Sequence, residues 1–214
     1  MSRLTVFSRS IARLSLPAAL MLTALLALPV ARHFLEGSMT LHMLVQYPLL
    51  ALCGALLAGR LPAGWLKPDP AGGAGNGWNA HGMTGLFASA VILAILMIPR
   101  VLDLALVSAP VELAKMAALL FCGAAIRLSW QAAGWLVQGF FLGQVLPMTA
   151  VVGTLYESSP VRVCNAYLLG DQVLLGRLLV WIAAGVALAW LAGLFRRLMR
   201  SDSGLTQNIN KKAL

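Results

Sequence analysis

Residues 39–59 read MTLHMLVQYPLLALCGALLAG. At 1.5 Å per residue, a helix of about 20 apolar residues crosses the hydrocarbon layer of a bilayer, and this stretch is apolar enough to do so. Its first two turns nevertheless carry Met39, His42, Met43 and Gln46. Their spacing of i, i+3, i+4 and i+7 puts all four on one helical face. Groups able to coordinate metal or form hydrogen bonds, placed at the mouth of an apolar helix, predict a polar focus that the other helices surround.

The composition supports that frame. The chain has 214 residues, is 60% hydrophobic and 11% charged, and has a mean hydropathy of +0.84. So much apolar surface does not fit inside one water-soluble core, and the fold class expected is an all-α integral membrane protein. The net charge of +9 comes from basic residues gathered beside apolar runs at the two ends, which reads as membrane topology and not as a nucleic-acid-binding stripe. Cys53, Cys122 and Cys164 form neither a CxxC pair nor an even framework, so no zinc ribbon or disulfide scaffold is expected.

Apolar runs predict a six-transmembrane-helix bundle with spans at about residues 14–31, 40–59, 83–99, 111–128, 136–155 and 173–195. Arg3, Arg9 and Arg13 precede the first run, which reads as an uncleaved helix because proline occupies its nearest small-x-small site, around Pro29 to Ala31. Residues 60–79, rich in Pro, Gly and Asn, read as an aqueous loop. VLDLALVSAP after Arg100 reads as a short interfacial segment, and Trp130 and Trp135 frame a tight turn. Residues 1–200 form a single polytopic domain in this reading, and 201–214 a basic disordered tail.

Arg196, Arg197, Arg200, Lys211 and Lys212 balance the arginines of the N-terminal end, so the positive-inside rule places both termini in the cytoplasm. The expected location is a bacterial inner membrane, with the His42 end facing outward. That topology gathers at one face His33, Met97, Arg100, Asp103, Glu112, Lys115, Met116, Met148, Tyr156, Glu157, Cys164, Asp171 and Gln172. His81 falls at the opposite face, beside Trp78 and Asn79, where a hydrogen-bonding interfacial role is expected.

A charged residue inside a span costs about 2.5 to 3.5 kcal/mol, so such residues face the bundle and pair. Glu112 and Lys115, at i and i+3, are expected to neutralise one another. Asp171 has two readings, an N-cap of its own helix or a partner that orients His42. Thioether sulfur with imidazole suits Cu(I), which makes His42, Met39, Met43 and Met97 the candidate metal ligands, against the plain reading of methionine as core packing. No Ser-x-x-Lys, His-Glu-x-x-His or Gly-x-Ser-x-Gly arrangement is present, and the chain is expected not to be an enzyme.

The order of a Met-x-x-His-Met element opening a span, a span ending at Pro99 before VLDLAL, and YLLGDQVLLGRLLVW with Asp171, Gln172, Gly176 and Trp181 resembles the CtaG-type cytochrome c oxidase assembly factors. The similarity runs thinly over about residues 39–194. It implies a polytopic protein associated with copper insertion into haem-copper oxidases, with respiratory oxidase subunits or copper chaperones as partners in the lipid bilayer. This chain departs from the pattern as a His-depleted member. Gln46 stands at a second histidine position, Met97 stands where a Trp-His-x-Pro histidine would fall, and VELAKM replaces a histidine-rich stretch. Family members usually have seven spans, and six are expected here. The alternative reading is a non-catalytic accessory or scaffold subunit of a larger oxidase or respiratory complex, packing through Gly185 and Gly193.

Overall fold

The computed structural model describes residues 16–59, 79 and 81–212. The chain runs through α1 (Leu16–Ala27), α2 (Pro29–Glu36), α3 (Met39–Ala58), α4 (Met83–Leu96), α5 (Pro99–Val107), α6 (Ala109–Trp130), α7 (Trp135–Ser158) and α8 (Leu169–Lys212). Among the described residues four helices are long and apolar enough to cross a membrane: α3, α6, α7 and the Leu169–Arg197 part of α8. Two bent pairs, α1 with α2 and α4 with α5, turn by 70° and 75° at short breaks and bring the number to six if each pair is one span. The protein is an all-α, multi-span membrane bundle. The loop expected at residues 60–79, apart from Asn79, lies outside the described residues, as do the N-terminal arginines.

Proline sets both breaks. Pro29 and Pro99 each sit in the first turn of the shorter helix, where the missing N–H costs nothing, and the residue before each is extended. At the second break two carbonyls at the junction of α4 and α5 gain side-chain partners. Tyr156 Oη donates to Met97 O at 3.1 Å, and Cys164 Sγ donates to Pro99 O at 3.8 Å. The segment expected to lie at the interface after Arg100 is the regular helix α5.

Pro48 leaves its mark one turn upstream. Residues His42–Gln46 form a π-turn within α3, and the Tyr47 N–H reaches His42 O, five residues back. A proline removes one α-helical donor and crowds the carbonyl four residues earlier, and the wider turn relieves that crowding.

The middle of the bundle is an α3–α6 crossing of backbones. A Cβ added to Gly54 would lie 1.9 Å from Leu120 O, and one added to Gly123 would lie 1.7 Å from Ala51 O. Each glycine therefore admits the other helix, the small-residue packing that brings helices together in lipid. Gly153 and Gly176 do the same for α7 and α8. Around these contacts Leu26, Met39, Met43, Tyr47, Leu50, Leu96, Leu102, Met116, Leu119, Tyr156, Cys164, Tyr167, Leu175 and Leu179 form one buried core at the His42 end and below it. Large apolar side chains such as Phe87, Phe140, Trp181 and Leu188 are exposed outside it, as a lipid-facing surface requires.

The backbone of α8 continues as helix to Lys212, through residues expected to be a disordered tail. No proline follows Pro160, so nothing in the sequence forces the helix to stop after the span.

Candidate functional site

Lys115 lies at the centre of the polar focus, not His42. It occupies the second turn of α6, is fully buried, and its Nζ stands 2.7 Å from Glu112 Oε2 and 3.3 Å from Glu36 Oε1. It also reaches His42 Nε2 at 2.8 Å and Gln46 Oε1 at 3.3 Å. The expected pairing of Glu112 with Lys115 is present, inside a larger cluster. Arg32 on α2 pairs with Glu36 one turn on and with Glu112 across the gap, both at 3.3 Å. Two cations and two carboxylates balance, which is how buried charge is tolerated away from water.

The tautomer of His42 follows from this arrangement. An ammonium held by two carboxylates has only protons to offer, so Lys115 donates to Nε2, and the imidazole proton sits on Nδ1. Nδ1–H then donates to Tyr167 Oη, 2.6 Å away in the segment between α7 and α8. Tyr47 packs edge-on against the His42 ring at 5.3 Å between centroids, with Lys115 Nζ 5.9 Å from the centre of its own ring. The Tyr47 hydroxyl is buried and has no hydrogen-bond partner among the described residues.

The other predicted residues fall around this cluster in distinct roles. Met39 and Met43 are buried in the core beside it, and Met97 is half-buried against the same core. Gln46 bridges the cluster, accepting from Lys115 and donating to Glu36 Oε1 at 3.2 Å. Both ring nitrogens of His42 are already engaged, so an ion can reach the imidazole only after Lys115 or Tyr167 withdraws. Among the described residues no group of three or more His, Cys, Asp or Glu side chains is arranged to hold a metal ion.

Asp171 does neither of the two things expected of it. It lies within the first turn of α8, and its carboxylate accepts from Ser38 Oγ at 2.9 Å, Thr40 Oγ1 at 2.8 Å and the Met39 N–H. It therefore caps the start of α3 and not its own helix, and the orienting partner of His42 is Tyr167. Gln172 pins the segment before α8, accepting from Val163 N at 2.8 Å and donating to Tyr156 O at 3.1 Å. Asp103 holds the same segment through Asn165 N at 3.0 Å. At the other end of the bundle His81 is exposed, and the hydrogen bonds are made by Asn79, to Ser129 Oγ at 2.9 Å and from Gly85 N at 3.1 Å.

Arg32, Glu36 and Tyr167 are the members of the cluster that sequence reading missed. The i, i+4 spacing of Arg32 and Glu36 on a short amphipathic helix was the available signal for the first two. Nothing local marks Tyr167. Comparison with known proteins adds no name to the site. No family model, curated protein or solved structure matches the chain.

Proposed function

We propose that this chain is a membrane-embedded assembly factor that supports a copper-containing respiratory oxidase and has no turnover of its own. The observation that carries the reading is the contact between Asp171 and the Ser38–Thr40 turn. The two stretches most similar to the CtaG-type factors are about 130 residues apart in sequence, and they meet at one point of the bundle, beside the buried cluster. In this reading the membrane is a bacterial inner membrane, both termini are cytoplasmic, and the His42 end faces outward toward oxidase subunits or copper chaperones.

Copper enters this reading as cargo. The neutral thioethers of Met39 and Met43, with Met97 against the same core, suit a soft Cu(I) ion without adding charge to the membrane interior. His42 joins such a ligand set only by releasing Lys115 or Tyr167. Copper bound by purified protein under reducing conditions should fall in the Met39→Leu, Met43→Leu double variant. A wild-type protein that binds no Cu(I) leaves the scaffolding role without the cargo.

A second reading, an accessory subunit of a finished complex, is favoured by one feature of α8. Gly185 and Gly193 have open space beside them, free for a helix of another protein. Deleting the gene and isolating the oxidase separates the two. An assembly factor lowers the amount of assembled oxidase and is absent from the product, whereas an accessory subunit co-purifies with it in fixed stoichiometry.

A further inference from the structure

We propose that Arg32, Lys115 and Gln46 form a binding site for a small monocarboxylate, filled in the resting protein by the chain's own Glu36. Three donors converge on Glu36 Oε1: Gln46 Nε2 at 3.2 Å, Arg32 Nε at 3.3 Å and Lys115 Nζ at 3.3 Å. Arg32 Nη2 reaches Oε2 at 3.4 Å. A guanidinium edge, an ammonium and a side-chain amide around one planar carboxylate are the groups that recognise a carboxylate ligand.

Glu36 is held loosely for such a setting. All four of its contacts are 3.2–3.4 Å, while the neighbouring Lys115–Glu112, Lys115–His42 and His42–Tyr167 contacts are 2.7, 2.8 and 2.6 Å. The helix that carries it is short, and Leu35 and Arg32 hold it to the bundle. α2 has eight residues, buries none of them, and exposes Val30 and Phe34. Glu36 is its last residue, followed by Gly37 and the turn into α3, so the side chain can turn away while Leu35 and Arg32 keep α2 in place.

Charge sets the class of ligand. With Glu36 withdrawn, Arg32 and Lys115 face Glu112 alone, and one positive charge is left uncompensated in the interior. A single negative charge restores balance, while a dianion would oppose Glu112 2.7 Å from the same ammonium. Formate and acetate match both the charge and the space of the side-chain carboxylate they replace. Ligand binding would also untie Glu36, while Arg32 on the same helix stays with the ligand and with Glu112, so the change is confined to the Glu36 end of α2.

The test uses the full chain in detergent or nanodiscs. In Glu36→Ala, sodium acetate or formate should raise the unfolding midpoint by several degrees with saturation, and sodium chloride at equal ionic strength should not. Adding Gln46→Leu should weaken the response. If Glu36→Ala cannot be purified, Glu36→Ser serves the same purpose. In the wild type, saturating formate should speed amide exchange at residues 36–38, where Glu36 is released. Equal responses to acetate and chloride, or residues 36–38 of the wild type that do not respond to formate, would overturn the proposal.

Discussion

Nζ of Lys115 and Nε2 of His42 stand 2.8 Å apart, joining α6 to α3 across 73 positions of sequence. The ammonium at this point also neutralises Glu36 and Glu112, so its removal strands two carboxylates and a histidine acceptor at once. Lys115→Met should cost about 3 to 5 kcal/mol, the usual penalty for removing one partner of a buried ion pair. Reversible unfolding in detergent measures it. The loss should shrink when Glu112→Gln is added, because the stranded charge is then removed as well.

Asp171 makes the corresponding joint between α8 and α3. Its carboxylate satisfies the Met39 N–H, one of the orphan donors of a helix start, together with two hydroxyls. Asp171→Asn keeps one acceptor oxygen but loses the charge, and Asp171→Ala loses both. Hydrogen bonds to a charged group contribute about 1.5 to 3 kcal/mol each, so the alanine variant should be the less stable. Faster amide exchange should begin at residues 39–41 and leave the distal half of α3 protected.

The helices were legible in the sequence because apolar length is a local property. α3, α4, α6 and α7 begin and end within about three residues of the expected spans. The bends were partly legible, since Pro29 and Pro99 are local signals. The cluster was not. Lys115 and Glu112 were visible as an i, i+3 pair, but their partners Arg32 and Glu36 lie about 80 residues away, and Tyr167 more than 50 residues beyond. Such meetings are set by helix packing, which a periodicity argument does not encode. For the same reason neither reading of Asp171, a cap of its own helix or a partner of His42, names its partners, which are three residues at the start of α3.

The crossing of α3 and α6 predicts where small changes are least tolerated. Alanine at Gly123 would bring its Cβ within 1.7 Å of the Ala51 carbonyl oxygen, and backbone cannot rotate aside as a side chain can. The helices must separate, which loosens the contact at Gly54 as well. Gly123→Ala should destabilise the fold by at least the about 1 to 3 kcal/mol typical of overpacking, while Gly185→Ala, with nothing near it, should be neutral. Thermal unfolding of the two variants side by side reads the difference.

Cys164 provides a prediction in pH. Its thiol is buried, donates to Pro99 O, and sits beside Asp103, whose carboxylate holds the next two backbone amides. Burial, and then the Asp103 charge, push the thiol from the usual 9.0 up to about 12. The folded state thus favours the protonated form more than the unfolded chain does. The stabilisation is complete below pH 9, where the thiol is protonated in both states, and it is lost as pH rises from 9 toward 12. Wild-type protein should therefore lose stability over that range relative to Cys164→Ala, which has no thiol to ionise. The steeper decline should persist when Cys53 and Cys122 are both replaced by alanine. Asp103→Asn should lower the thiol's midpoint, since it removes the second cause and leaves the first. Parallel stability curves for the wild type and Cys164→Ala from pH 8 to 11 would mean that the thiol ionises in the folded protein as it does in the unfolded chain.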